Sequence, residues 1–202
     1  MKKVVLFIFI SVVLSTISYS QTANQYFERG TLKYKSGDYR GAVTDLNKAI
    51  IINPVFASAY NNRGLAKFFL DDNQGALSDF NLAIKFNVNS DLVYYNRGLA
   101  KNQLDDYRGA IADYTKCIEK KPNYANAYFS RGIAKANLHD YRGAITDYNK
   151  ALEIDPKDSE SYCSRGLAKL ALGLKSSGCL DFSKAGQLGN AKAYDMIKNL
   201  CK

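Results

Sequence analysis

One phrase recurs four times along this sequence at a fixed interval. The copies read DYRGAVTDLNKAIIINP, DNQGALSDFNLAIKFNV, DYRGAIADYTKCIEKKP and DYRGAITDYNKALEIDP, and they begin 34 residues apart at Asp38, Asp72, Asp106 and Asp140. The segments before them keep the same step, with five glycines in register at Gly30, Gly64, Gly98, Gly132 and Gly166. A fixed period of this length predicts a series of stacked structural units, here five, rather than one irregular core.

Each unit is predicted to be a pair of helices. Apolar residues recur at steps of three and four, as at Ile145, Tyr148 and Leu152, which is helical spacing. The aspartate that opens each phrase is typical of a helix N-cap, and Pro54, Pro122 and Pro156 follow where the second helix should end. The fifth unit diverges to LKSSGCLDFSKAGQLG after its glycine, as terminal repeats commonly do.

Small residues also hold fixed places in the units. Each first helix carries its glycine, and four of the second helices carry an alanine, Ala42, Ala76, Ala110 and Ala144. We expect the two backbones of a unit to approach closely at these positions. So short a helical pair cannot bury its own apolar face, and it therefore needs a neighbouring pair stacked on it.

These units resemble the tetratricopeptide repeat (TPR), a 34-residue helix-turn-helix with the pattern W-x2-L-G-x2-Y…A-x3-F…P. The corresponding pattern here is Y-x2-R-G-x2-K…A-x3-[LFY]…P, over about residues 22–188. The resemblance implies an all-α fold, a right-handed α-solenoid of five helix-turn-helix repeats plus a C-terminal capping helix. The expected segments are a signal peptide over 1–20, TPR 1 over 21–56, TPR 2 over 57–90, TPR 3 over 91–124, TPR 4 over 125–158, a degenerate TPR 5 over 159–189, and the capping helix over 190–202.

Charged residues recur in step with the repeats. Two cations stand four residues apart on every first helix, and a carboxylate stands on every second helix. We predict a structural ladder of Arg–Asp pairs, one within each repeat, although a row of phosphate-binding cations is the open alternative. The ladder residues are Arg29, Arg63, Arg97, Arg131, Arg165, Asp45, Asp79, Asp113, Asp147 and Asp181, and the second cations are Lys33, Lys67, Lys101, Lys135 and Lys169.

The first twenty residues differ from the rest. MKK is followed by the apolar run VVLFIFISVVL and then by STISYS, with small residues at Ser18 and Ser20. This pattern predicts a bacterial secretory signal peptide cleaved between Ser20 and Gln21, and hence export to the periplasm or beyond. An uncleaved anchor is the alternative, although the apolar run is shorter than the ~20 residues that span a bilayer. Membrane contact is expected only if this segment is retained.

The four cysteines take their meaning from that export, because thiols tend to pair outside the cytoplasm. Cys179 lies on the second helix of repeat 5, and Cys201 lies on the capping helix that should pack antiparallel to it about a turn near Gly189. We therefore predict a disulfide between Cys179 and Cys201. Cys117 occupies a place that other repeats give to alanine and should stay a thiol, and Cys163 is the weaker candidate partner.

Several classes of function lack their sequence signatures. There is no CxxC and a single histidine, His139, so we expect no metal site and no cofactor. The absence of a P-loop, GxGxxG or HExxH favours a protein that is not an enzyme. The formal net charge is +9, but no charge run or nucleic-acid motif accompanies it, so we expect no nucleic-acid partner.

The resemblance also implies a binding surface, because the first helices of such repeats line a concave groove that holds a peptide or a partner segment. The best-known subgroup clamps an acidic C-terminus with cations that are missing here, so a partner of another kind is expected. Asparagine amides could hold a peptide backbone and aromatic rings could add apolar contact, although some rings could instead pack between repeats. The residues carried over by position are Phe27, Asn61, Asn62, Phe68, Tyr95, Asn96, Asn126 and Phe129.

Together these features predict a non-catalytic protein–protein interaction scaffold in the bacterial envelope or outside the cell, with its binding centre at Asn62, Tyr95, Asn96 and Phe129. A membrane-tethered assembly factor of the envelope and a cell-wall hydrolase remain as alternatives at this stage.

Overall fold

The computed structural model describes residues 22–87 and 90–201, and within these ranges every regular element is an α-helix. The predicted signal peptide and its cleavage site lie outside the described residues. The helices are α1 (residues 22–35), α2 (Tyr39–Ile52), α3 (Ala57–Phe68), α4 (Asn73–Lys85), α5 (Asp91–Gln103), α6 (Tyr107–Lys120), α7 (Ala125–Asn137), α8 (Tyr141–Ile154), α9 (Ser159–Ala171), α10 (Lys175–Gln187) and α11 (Ala191–Leu200).

The helices belong to two compact blocks. The N-terminal block holds α1 to α4, which form repeats 1 and 2, and the C-terminal block holds α5 to α11, which form repeats 3 to 5 and the closing helix. In the C-terminal block each helix packs against the next along the chain, and the first helix α7 also contacts the first helices α5 and α9. The helix-turn-helix repeats and the C-terminal helix are therefore present as predicted.

The second helices begin at the predicted caps. The side chains of Asp38, Asp72, Asp106 and Asp140 each accept a hydrogen bond from the backbone N–H of the glycine three residues later, at 2.9 Å. Such a bond satisfies one of the donors that a helix start leaves unpaired. In repeat 5 the corresponding residue is Leu174, which makes no side-chain cap. The N-cap prediction is confirmed for repeats 1 to 4.

One bulky residue per repeat forms the centre of the core. These residues occupy the last place of the A-x3-[LFY] pattern, and all of them are essentially inaccessible to solvent: Leu46, Phe80, Tyr114, Tyr148 and Phe182. Burial raises the pKa of Tyr114 and of Tyr148 well above the ordinary value.

The repeated glycines make room for these bulky side chains. A Cβ on Gly98 would lie 2.6 Å from Cε1 of Tyr114, and a Cβ on Gly132 would lie 2.6 Å from Cε1 of Tyr148. The glycines of the first helices therefore admit the bulky side chain of the second helix, a contact that the sequence did not predict. The expected approach of the two backbones is also seen in repeats 1 and 5. A Cβ on Gly30 would lie 3.3 Å from the carbonyl oxygen of Ala42, and a Cβ on Gly178 would lie 2.8 Å from that of Gly166.

The closing helix α11 covers the end of repeat 5. Its buried Ala193 packs with Cys163, Phe182 and Ala185, and a disulfide joins Cys179 of α10 to Cys201, with 5.8 Å between the Cα atoms. The other two cysteines, Cys117 and Cys163, are buried free thiols. None of the described helices is long and apolar enough to cross a membrane.

Candidate functional site: the first-helix face

The predicted ladder residues meet in every repeat. In repeat 3, the Arg97 guanidinium donates from Nε to Oδ2 and from Nη2 to Oδ1 of Asp113, at 2.8 and 2.6 Å. Nζ of Lys101 lies 2.8 Å from the same Oδ2. Each buried carboxylate thus receives two cations rather than one, and we call each such group a triad. The same arrangement recurs around Asp45, Asp79, Asp147 and Asp181.

The triad arginines also reach the preceding repeat within each block. Nη1 of Arg63 donates to Oδ1 of Asn47 at 2.6 Å in the N-terminal block. In the C-terminal block Arg131 donates to Thr115 at 3.0 Å, and Arg165 donates to Oδ1 of Asn149 at 2.7 Å. Sequence reasoning missed these acceptors. Their signal was a polar residue recurring at the same 34-residue step, at Asn47, Asn81, Thr115 and Asn149.

Each triad arginine further lies over a tyrosine ring of its own first helix. The tyrosines occupy the tryptophan place of the TPR pattern, and the distances from the guanidinium carbon to the ring centre are 5.0 to 5.7 Å. The side chains of Arg63, Arg97, Arg131 and Arg165 are only 15–16% exposed. The guanidinium groups of these arginines donate hydrogen bonds to neighbouring side chains and lie against tyrosine rings. We therefore infer that the arginines stabilise the packing of the repeats.

Repeat 1 has the most open triad. The Arg29 side chain is 54% exposed, yet Asp45 is almost fully buried. The hydrogen bonds from Arg29 outweigh the burial of the Asp45 carboxylate and lower its pKa to about 2.

The first-helix face of the N-terminal block consists of the groove residues on α1 and α3. Nδ2 of Asn62 donates to Oγ1 of Thr31 at 3.0 Å, and Nδ2 of Asn61 donates to Oδ1 of Asn62 at 3.1 Å. The first of these bonds links α3 to α1, and the second lies within α3. The carbonyl oxygen of the Asn61 side chain is buried and has no hydrogen-bond partner among the described residues.

The predicted binding rings of this block lie against other rings. Phe27 contacts Phe56 with 4.8 Å between ring centres, and Phe68 lies edge-on to Phe69 at 6.0 Å. Both predicted rings remain only partly buried.

The rings of the C-terminal block are more deeply involved in packing. Tyr95 on α5 contacts Tyr114 and Tyr124, at 5.8 and 5.1 Å between ring centres, and burial raises its pKa. Phe129 on α7 contacts Tyr148 at 5.9 Å and packs against the cluster of Ala144, Tyr148 and Ala168. Much of each ring surface is therefore used within the fold.

The amides of the C-terminal block are more accessible to a partner. Asn126 is exposed at the start of α7 and hydrogen-bonds with Tyr124. Asn96 is half-buried in the middle of α5, and in the part of the chain that the structure describes its side chain has no hydrogen-bond partner. Among the predicted binding residues, Asn96 thus offers both a donor and an acceptor on this face.

A cavity of about 360 Å³ opens between α7, α8 and α9 on the same face. Its lining includes Ile133, Ala136, Tyr141, Leu167 and Ala171. The family resemblance places Ile133 and Asn137, which also lines the cavity, at groove positions of repeat 4, whereas Ala136, Tyr141, Leu167 and Ala171 were not predicted to take part in binding.

The described residues were also examined for metal-binding and acid–base sites. No group of three or more His, Cys, Asp and Glu side chains that could hold a metal ion occurs there. His139 lies in the turn between α7 and α8, where its ring bonds with the Tyr141 hydroxyl at 2.9 Å.

Sequence models of known families match the chain in three stretches. Residues 30–71 and 137–173 match a family described as "TPR repeat", and residues 92–124 match one described as "Tetratricopeptide repeat". Together the matches cover more than half of the chain. No curated protein matches the sequence significantly.

Solved structures share the fold over most of the chain. A crystal structure of MamA protein is 25% identical, covers 86% of this chain and 95% of its own, and has a TM-score of 0.78. MamA from Desulfovibrio magneticus RS-1, residues 41 to the end, gives 19% identity, coverage of 85% and 97%, and a TM-score of 0.79. YrrB, described as "a TPR protein with an unusual peptide-binding site", gives 18% identity, coverage of 86% and 90%, and a TM-score of 0.77. The last two establish likeness of fold alone.

Proposed function

Because this chain belongs to the tetratricopeptide repeat family, whose repeats form scaffolds for protein–protein interaction, we propose that it is a non-catalytic adaptor that binds a peptide or an extended partner segment. The partner contacts the exposed side of the first helices, with Asn96 on α5 as its best-supported contact. The observation that carries this proposal is the half-buried Asn96 amide, which lies on that face without a partner in the described structure.

The contrast between repeated and varied positions supports this assignment. Arg, Gly, Lys and Asp recur from repeat to repeat because they build the triads and the core. By contrast, one column of the first-helix face reads Phe27, Asn61, Tyr95, Phe129 and Cys163, and the next reads Glu28, Asn62, Asn96, Ser130 and Ser164. Ser130 and Cys163 are buried, but variation at the other, more accessible positions allows several repeats to contact different parts of a ligand.

The charges of the face favour a partner other than an acidic C-terminus. The triad arginines and lysines are bound to buried carboxylates, and in repeats 2 to 5 their side chains are mostly covered. A free carboxylate would therefore find few unengaged cations among them. Amide groups and partly exposed rings suit backbone and apolar contacts instead.

The test is to select binding peptides from a display library and to measure their affinity for variants. Asn96→Ala should weaken binding by about fivefold or more, since it removes a hydrogen bond at a central contact, and the melting temperature should hardly change. Asn199→Ala removes an exposed amide from α11 and is the matched control. Equal affinity of both variants for every selected peptide would refute the role of this face.

Phe129→Ala provides a second comparison. Because the ring packs on Tyr148 and its neighbours, this change should lower the melting temperature as well as the affinity. Asn96 therefore separates binding from stability where Phe129 does not.

We further propose that the protein acts outside the cytoplasm. The support is the pattern of residues 1–20 and the Cys179–Cys201 disulfide, since such bonds persist in oxidising compartments. The intact mass of the protein from its native host should correspond to a chain that starts at Gln21. A mass that includes Met1 would instead favour the membrane-tethered alternative.

A further inference from the structure

We propose that the cavity between α7, α8 and α9 is a slot for one aromatic side chain of the bound peptide. This inference rests on the proposed peptide-binding function and names the chemistry of one contact. The cavity volume of about 360 Å³ lies at the small end of ligand sites. It opens on the first-helix face, where Leu167 is 42% exposed at its rim.

In the N-terminal block the equivalent space, between α1, α2 and α3 of repeats 1 and 2, is filled by aromatic side chains. There Phe69 stacks on Tyr39 with 4.9 Å between ring centres and 9° between planes. Tyr34 completes the group at 5.8 Å from Tyr39 and 6.0 Å from Phe69. Three rings thus fill the space between α1, α2 and α3.

The same three positions in repeats 4 and 5 keep one ring and lose two. Adding three 34-residue steps to Tyr39, Tyr34 and Phe69 leads to Tyr141, Ala136 and Ala171. All three of these residues line the cavity. The cavity is therefore the space that two rings fill in the N-terminal block, and one wall of it is a tyrosine that lacks its stacking partners.

Tyr141 is held in place for such a contact. Its hydroxyl bonds with Nδ1 of His139 at 2.9 Å, and the two rings lie 5.8 Å apart, edge to face. A fixed ring loses little freedom when another ring stacks on it. Ile133 and Leu167 supply apolar walls, and Asn137 and Ser164 supply polar groups for the adjoining backbone.

An aromatic side chain suits this space better than a smaller or charged one. Tyr141 offers a π-face, and the internal precedent on Tyr39 is a phenyl ring in near-parallel contact. The lining contains no Lys, Arg, Asp or Glu, so a charged group would find no counter-ion there.

The experiment is a parallel selection of random display peptides on the wild-type protein and on Ala171→Phe, the substitution that restores the phenyl ring of Phe69. Peptides selected on the wild type should share one Phe, Tyr or Trp, and its change to Ala should weaken binding by about tenfold. Ala171→Phe should weaken the same peptides by a similar factor, with an unchanged or higher melting temperature. Ala191→Phe adds a ring at an exposed place on α11 and should bind as the wild type does.

Two further measurements keep the inference open to refutation. Tyr141→Leu should weaken aromatic peptides more than their Ala counterparts, and peptide binding should shift backbone amide signals of α7 and α9. The aromatic slot would be refuted if the selected peptides lacked an aromatic residue, or if they bound Ala171→Phe as tightly as the wild type. In either case the effect of Asn96→Ala would still test the proposed peptide-binding function. Failure to select any peptide would overturn both proposals. N-acetylphenylalaninamide bound as tightly as the peptides would make the slot a small-molecule site and refute the peptide assignment.

Discussion

The five triad arginines share their partners but differ in burial, and this difference predicts different contributions to stability. Arg97→Ala should lower the free energy of unfolding by ~1–3 kcal/mol, because it leaves the buried Asp113 with one cation fewer. Arg29→Ala should cost less, since the Arg29 side chain is 54% exposed. Denaturant unfolding of both variants measures the difference. Lost peptide binding with unchanged stability in Arg97→Ala would assign the arginines to ligand binding instead.

Asp45 predicts how stability depends on acid. Its pKa is about 2 in the folded protein against an ordinary 3.8, so its contribution is complete above that ordinary value and is lost as the pH falls through about 2. The stability difference between wild type and Asp45→Asn should therefore be full at about pH 5 and shrink between about pH 4 and pH 2. Chemical unfolding at a series of pH values measures this. A difference that stays constant across the series would contradict the ion pair as its source.

The triads also show what a repeat pattern can predict at the level of residues. Arg97 and Asp113 could be paired from sequence because both types recur without exception at the same step. The acceptors Asn47, Thr115 and Asn149 were missed because their type varies, and because the contact depends on how one repeat packs on the next.

At the scale of helices, the glycines set the distance between the two members of a repeat. Gly98→Ala would gain up to ~1 kcal/mol of helix propensity, but the new methyl group would lie 2.6 Å from the buried Tyr114 ring. Overpacking of this kind typically costs ~1–3 kcal/mol, so we expect a net loss of stability. Gly186→Ala is the control, since its Cβ would meet only the exposed Tyr194 ring at 3.3 Å. Equal effects of both changes on the free energy of unfolding would exclude the ring as the cause.

The disulfide fixes the last helix. Replacing Cys201 by Ser should destabilise the C-terminal end by ~3 kcal/mol in the chain-entropy model, given 22 residues of separation. Amide hydrogen exchange should speed up in α10 and α11 and stay unchanged in α5 and α6. Cys117→Ala is the control, because alanine occupies its place in other repeats and burial raises the pKa of this thiol to about 11. Uniformly faster exchange would mean that the bond supports the whole block.

Helices, caps and the closing helix followed from periodicity, because their signals are local. The roles of the aromatic residues did not. Tyr95 and Phe129 stand on the face that the family uses for ligands, yet that face also touches the second helix and the next repeat. The slot near Tyr141 was missed for a different reason. Ala136 and Ala171 leave space because they replace the aromatic residues found at the same positions of the N-terminal block, and a small residue gives no sequence signal for binding.

For the whole molecule, the formal net charge overstates the positive charge that is accessible to a ligand. The formal net charge is +9, and the five triads account for five of these charges with ten cations around five carboxylates. In repeats 2 to 5 most of that surplus is covered by packing. The accessible parts of the first-helix face are mainly amides and apolar groups.

This distribution predicts that peptide binding depends little on salt. Between about 0.05 and 0.5 M NaCl we expect the Kd of a selected uncharged peptide to change by less than about threefold, because screening acts mainly on exposed charges. Isothermal titration at each concentration measures this, and melting temperatures at the same concentrations control for unfolding. A protein that instead recruited its ligand through the cation rows would release counterions on binding, and its affinity would fall by about tenfold or more over this range. Such a fall in affinity would indicate that the triad arginines and lysines bind the ligand directly. It would contradict a binding site formed by Asn96 and the aromatic slot.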